Sequence, residues 1–285
     1  MPSGRAEPAC ARGAPSRRGF DVAYDVPVTD SPAVPGAPDH QPVTSAPMPS
    51  MESSAAAGRG DDQAEVRQFR FERPPGATTI LLVRHGESVP ARADRPFPLV
   101  DGHGDPELHP QGELQAAKVA ERLSRRRRGE KISAVYVTNL RRTAQTAAPL
   151  CEALGLKPVV EADLREVFLG EWEGGVYRLR LREGGPIVDR LMTEGRWDVV
   201  PGAEPDDVFI SRIRAGIGRI ASAHPDSLVA AFTHGGVIGR IAAQAVGAKP
   251  MSFSGAENGS ITELLVTQER WFLRNFNDTA HLEEI

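Results

Sequence analysis

Two histidines in this chain each follow an apolar run and precede a glycine. Ile80-Leu81-Leu82-Val83 leads into Arg84-His85-Gly86, and Leu228-Val229-Ala230-Ala231-Phe232-Thr233 leads into His234-Gly235-Gly236. Neither run alternates between apolar and polar residues, as expected of strands covered on both faces. Ligand crevices in parallel sheets form at the carboxyl ends of the strands, so two strand-end histidines predict one shared crevice. Gly235 and Gly236 open an Ala/Ile-rich helix, where unpaired N–H groups and the positive dipole end favour an anion. A phosphate is the expected guest.

Two more segments carry candidate chemistry. In Thr138-Asn139-Leu140-Arg141-Arg142-Thr143-Ala144-Gln145-Thr146-Ala147, the residues Leu140, Ala144, Ala147, Cys151 and Leu154 recur at helical spacing, which predicts a helix capped by Asn139 or Thr138. Arginine in a first helical turn opposes the dipole, and that local cost points to an anion near Arg141 or Arg142. Leu164 to Gly174 then offers three carboxyl groups, Glu166, Glu171 and Glu173. Any one of them, held at a crevice beside apolar residues, could act as a proton donor, although acidic turn residues are more often simply solvated.

Together these residues make residues 78–285 resemble the histidine phosphatase superfamily, the phosphoglycerate mutase-like proteins. Arg84-His85-Gly86-Glu87 is similar to the family's Arg-His-Gly signature, which implies that His85 becomes phosphorylated. The Arg-Thr-x-Gln-Thr-Ala spacing implies that Arg142 is the second phosphate-binding arginine and Arg141 its exposed neighbour. Leu164-Arg165-Glu166 matches the stretch carrying the proton donor and so selects Glu166. Phe232-Thr233-His234-Gly235-Gly236 resembles the second-histidine motif, with fainter echoes at 258–262 and 277–282. The resemblance implies catalytic His85, Glu166, Arg84, Arg142 and His234, substrate contacts from Arg84, Arg142, His234, Gly235 and Glu87, and no cofactor. A neutral imidazole is a competent nucleophile at neutral pH, and arginine meets two phosphoryl oxygens at once.

The implied activity is phosphomonoester hydrolysis of a small phosphorylated substrate through a phosphohistidine. A phosphoglycerate mutase-type phosphotransferase and a non-catalytic phospho-ligand binding module are the alternatives. Val89-Pro90-Ala91 after Ser88 departs from the Trp-Asn of mutases, which favours the phosphatase. The segments 89–110 and 175–205, with Arg178, Arg180, Arg182 and Trp197, are expected to shape specificity. His103 and His109, in the first of these, are weighed as lining the entrance and read as ordinary loop residues. Zinc on His85 and His234 is disfavoured by the two arginines, so no metal is expected.

The elements that position these groups follow from periodicity. Strands are expected near 78–83, 132–137, 157–160, 228–233, 261–267 and 271–276, with helices near 111–127, 141–154, 187–195, 206–223 and 235–246. Their alternation predicts a three-layer α/β/α sandwich with a mostly parallel sheet. Residues 1–75 hold half of the 24 prolines and few periodic apolar positions, so they read as a disordered extension ahead of the domain at 76–285. Cys10 and Cys151 are too few for a disulfide framework, which fits a reducing cytoplasm. A net charge of -4 gives no basis for nucleic-acid or membrane binding. The basic run Arg125 to Arg128 is read as complementing a helix C-terminus. Oligomeric state is not legible.

Overall fold

A computed structural model describes residues 68, 71–125 and 130–283. The proline-rich extension up to residue 67, Cys10 and Arg126 to Arg128 lie outside the described residues. Arg73 already ties the start of the domain to its body, donating to the carbonyls of Asp226 and Ser227.

In chain order the elements are β1 (Thr78–Arg84), β2 (Leu99–Val100), β3 (His103–Gly104), α1 (Pro110–Ser124), β4 (Ile132–Val137), α2 (Arg141–Leu154), β5 (Val159–Val160), α3 (Val176–Glu183), α4 (Pro186–Glu194), α5 (Asp206–Ala223), β6 (Leu228–Thr233), α6 (Gly235–Val246), β7 (Ile261–Val266) and β8 (Trp271–Asp278), with short 3-10 turns between some of them. Six strands form one sheet in the order β5-β4-β6-β1-β7-β8. The first four are parallel, and β7 and β8 add an antiparallel edge.

The apolar runs explain the layers. Successive strand side chains point to opposite faces. Ile80 and Leu82 therefore join Val229 and Ala231 in packing against Phe209, Ile213, Ile217 and Ile220 of α5 and Val237, Ile238 and Ile241 of α6. Leu81 and Val83 join Val135, Ala230 and Phe232 against Val119 and Leu123 of α1 and Leu150 and Cys151 of α2. Each such aliphatic side chain contributes about 1.5–3 kcal/mol on full burial. The protein is a three-layer α/β/α sandwich with a mostly parallel sheet.

Several details differ from the sequence reading. Leu140, rather than Asn139 or Thr138, occupies the N-cap of α2. The Thr138 hydroxyl is engaged by Thr143 and His234, and the first helical N–H, that of Arg141, is instead satisfied by Asp105 Oδ1 at 2.8 Å. The strand expected at 157–160 shrinks to β5. The hairpin β2–β3 was not foreseen, although Asp101-Gly102, at φ 48° and 81°, is a two-residue hairpin signal. Helix α3 was also missed: Arg178-Leu179-Arg180-Leu181-Arg182 alternates with a strand's period, and none of the helix's residues is buried.

The N-terminus of α1 lies directly on the backbone that follows His85. A Cβ on Gly112 would overlap the Glu87 carbonyl and sit 2.8 Å from its nitrogen. Gly112→Ala is expected to destabilise the domain by about 1–3 kcal/mol and to lower turnover by displacing the loop at 86–88. Chemical denaturation beside a phosphatase assay would measure both, and an unchanged midpoint would refute the tight fit.

Candidate active site

His85 is the residue after β1, and the backbone around it is fixed on every side. Its N–H donates to Thr233 O at 3.0 Å, its carbonyl accepts from Asn258 Nδ2 at 2.8 Å, and Gly86 N–H donates to Thr146 Oγ1 at 3.0 Å. Asn258 belongs to the first of the faint motif echoes, and the second supports it: Asn277 Oδ1 accepts from Glu257 N, and the His281 ring bonds Gly259 O. The His85 Nδ1–Gly86 O contact of 2.7 Å requires a proton on Nδ1, since a carbonyl only accepts. Nε2 is then the bare nitrogen, and it accepts from Arg142 Nε at 3.2 Å.

His234 begins α6 and is fully buried, its ring centroid 5.2 Å from that of His85. Its Nε2 lies 3.1 Å from Thr138 Oγ1, and among the described residues its Nδ1 has no partner. Burial, followed by the charge of Arg142, holds both imidazoles well below the ordinary histidine range, so both are neutral.

The arginines are held by carbonyls. Arg84 Nη1 donates to Ala256 O while its Nε is buried with no partner among the described residues, and Arg142 Nη1 donates to Gly104 O at 2.9 Å. Burial lowers the pKa of both, that of Arg142 to about 10, and Glu166 is the foremost charge opposing the shift in each. Arg141 takes the exposed position, paired with buried Asp105 at 2.8 Å.

Of the three carboxyl candidates, Glu166 lies in the cavity wall with Oε2 accepting from Gly236 N at 3.1 Å and Oε1 from Val167 N at 3.0 Å. The group held at the N-terminus of α6 in this structure is thus the Glu166 carboxyl. A Cβ on Gly236 would come within 2.5 Å of Glu166 Oε1, so glycine is what admits it. Gly235 packs on the Arg84 guanidinium. Glu173 also lines the cavity, but its oxygens brace the backbone N–H groups of Leu169 and Gly104. Glu171 is exposed, and Glu87 is exposed in an outer groove beside Arg84, Arg178 and Arg182.

Arg84, His85, Arg142 and Glu166 enclose a cavity of about 150 Å³, walled by Phe97, Trp172, Tyr177 and Trp197. His103 belongs to this wall, buried and edge-on to Phe168, contrary to its reading as an ordinary loop residue. His109 caps α1. Tyr177, whose hydroxyl burial pushes up to about 12, was reachable only by knowing that α3 is a helix, whereas Arg178 and Trp197, singled out in the sequence, both line the cavity. Among the described residues no three His, Cys, Asp or Glu side chains cluster as a metal ion requires.

Residues 80–279 match the sequence profile of the histidine phosphatase superfamily, branch 1. The chain is 34% identical to phosphoglycerate mutase-like protein 4 of Arabidopsis thaliana over 72% of its own length and 87% of that protein's. It is 29% identical to a metal-independent phosphoserine phosphatase of the same plant, over 73% and 84%. Among solved structures, a mycobacterial glucosyl-3-phosphoglycerate phosphatase superposes with a TM-score of 0.58 at 25% identity, over 71% of this chain and 100% of that one. Phosphoglycerate mutase of Bacillus anthracis shares the fold, with a TM-score of 0.61 at 20% identity over 73% and 96%.

The neutral histidines carry a consequence for stability. Unfolded imidazoles protonate near pH 6.5 whereas the folded ones resist, so the unfolded state binds more protons once the pH drops below that value. Stability is then fully present above about pH 6.5 and falls on acidification, by up to about 1.4 kcal/mol per pH unit per histidine. Denaturant titrations between about pH 5 and 7.5 should show this slope, shallower in His85→Ala; a flat profile in the wild type would contradict it.

Proposed function

The chain belongs to the histidine phosphatase superfamily, branch 1, and on that premise we propose that it is a phosphomonoesterase acting on small phosphorylated metabolites through a covalent phosphohistidine on His85, with Glu166 as proton donor. The observation that carries this reading is the neutral His85, its Nδ1 proton held by Gly86 O and its bare Nε2 turned to Arg142. The phosphatase names among its relatives support the same reaction class.

In the first half-reaction the Nε2 lone pair attacks phosphorus, the Nε2–P bond forms and the P–O ester bond breaks. The leaving alkoxide takes its proton from Glu166. Arg142 exchanges its Nε contact with His85 for a phosphoryl oxygen, and Arg84 and Arg142 offset the charge spread over the equatorial oxygens. In the second half-reaction water attacks phosphorus, its proton passes to Glu166, the Nε2–P bond breaks and inorganic phosphate leaves. Specificity is assigned to the aromatic wall and to Arg178, which Ser88 Oγ at 2.7 Å and Val89 O at 3.0 Å hold at the edge of the cavity. A reducing cytoplasm is the proposed compartment, on the paucity of cysteine.

Hydrolysis of p-nitrophenyl phosphate with EDTA present, by wild type and His85→Ala, tests the nucleophile. Activity should vanish in the variant, and a quench that avoids acid should leave phosphate on His85 detectable by mass spectrometry. Near-normal activity in His85→Ala would reject the mechanism, and a phosphohistidine that passes to an added alcohol but not to water would favour the mutase alternative. Arg178→Gln should lower kcat/KM for the physiological phosphate ester about tenfold, near 1.4 kcal/mol, chiefly through KM. An unchanged KM would remove Arg178 from the substrate contacts.

A further inference from the structure

The segment that carries Glu166 has little regular structure of its own. Between a 3-10 turn at Ala162–Leu164 and another at Gly170–Trp172, residues 165–169 belong to no helix or strand, so no ladder claims their carbonyls. One side chain collects them. Arg212 of α5 donates from Nη1 to Asp163 O at 2.7 Å and Arg165 O at 2.8 Å, and from Nη2 to Glu166 O at 2.9 Å. Its remaining two N–H groups go to Glu204, Nε to Oε1 at 2.7 Å and Nη2 to Oε2 at 2.8 Å. All five guanidinium donors are therefore satisfied.

Glu204 extends the grip to the other side of Glu166. Its Oε2 accepts from Phe168 N at 3.3 Å, and its own N–H donates to Phe168 O at 2.9 Å. The two side chains are 9% and 10% exposed, and the guanidinium stacks 4.9 Å over Phe209 at the centre of the core. A buried ion pair adds little net stability over an apolar pair of the same shape, so its geometry, which brackets residue 166 at the backbone from both directions, calls for a different account.

We propose that the buried Arg212–Glu204 pair is the positioning device for the proton donor, fixing the backbone of Asp163 to Phe168 so that the Glu166 carboxyl reaches both the N-terminus of α6 and the cavity. This rests on the assignment of Glu166 as proton donor. Neither Arg212 nor Glu204 lines the cavity, so both act through Glu166 and touch no substrate. A carboxyl misplaced by a fraction of an ångström still shares the site's charge but transfers a proton poorly, and the loss falls on leaving groups that need the proton.

The test compares an alkyl ester, glycerol phosphate, with an aryl ester, p-nitrophenyl phosphate, in Arg212→Lys, Glu204→Gln, Glu166→Gln and the double variant Glu166→Gln/Arg212→Lys, with thermal unfolding followed in the same preparations. Glu204→Gln keeps the side-chain shape and gives the readout where Arg212→Lys fails to fold. The ratio of alkyl to aryl kcat should fall about tenfold or more in each single variant, within the usual range of general acid catalysis. The double variant should show no further fall beyond Glu166→Gln, because the clamp has nothing left to position. Folded clamp variants with an unchanged ratio, or losses that multiply in the double variant, would overturn the inference while leaving Glu166 as donor. An unchanged ratio in Glu166→Gln itself would overturn the donor assignment and the clamp's role with it.

Discussion

The site depends first on the parallel pairing of β1 with β6, in register from Thr79 opposite Leu228 to Arg84 opposite Thr233. Neighbouring strands in a sheet lie about 4.8 Å apart. One residue beyond the last pair, His85 and His234 therefore face each other at close to that spacing, and their ring centroids are 5.2 Å apart. The next strand, β4, ends beside β6, so Thr138 reaches His234 and α2, starting directly afterwards, delivers Arg142 to His85. Three adjacent strand ends thus bring together residues separated by more than fifty positions in the chain. Slipping one strand by a single residue would turn its apolar side chains to the wrong layer, so the cores on either side of the sheet enforce the alignment.

What this alignment concentrates is positive charge. Arg84 and Arg142 are largely buried, and among the described residues neither makes an ion pair within 4 Å; carbonyls of Ala256 and Gly104 accept their hydrogen bonds instead. A carbonyl satisfies a donor without cancelling its charge, so the field persists and the histidines stay neutral within it. Glu166 answers that field only in part. Burial first, and the remaining field second, keep the His85 imidazole neutral beside the two guanidinium groups.

The strand ends were legible in the sequence because long apolar runs bounded by glycine leave little choice of structure. Arg84, His85 and His234 sit at the strand ends that those runs predict, Arg142 and Glu166, picked out by the resemblance, line the same cavity as Arg84 and His85, and Cys151 lies on the buried face of α2 as its spacing requires. What could not be read was set by contacts distant in the chain. Asp105 caps α2 from a hairpin thirty-six residues upstream, a partnership no local capping rule encodes. Helix α3 carries a strand-like alternation and forms against aromatic neighbours, Tyr177 meeting Trp172 and Trp197. His103 lies in a segment whose composition is that of a loop, and only the Asp101-Gly102 turn reveals the hairpin that buries it.

That hairpin shows how irregular segments are made accurate. Four residues of β2 and β3 leave it too small to hold itself, yet it meets three parts of the site. Gly104 O accepts from Arg142 and Gly104 N donates to Glu173, while Asp101 Oδ2 accepts from Asn139 at 2.8 Å just before α2. His85 follows directly on a strand whose ladder fixes the backbone, and side chains brace only the peptide group after it, through Asn258 and Thr146. The arginine reaches the cavity on a flexible side chain and needs an acceptor placed at its far end. The segment around Glu166 has neither ladder nor helix, so its order must be imported from α5. The bracing that side chains give each of these groups is thus greatest where the segment that bears it is least regular.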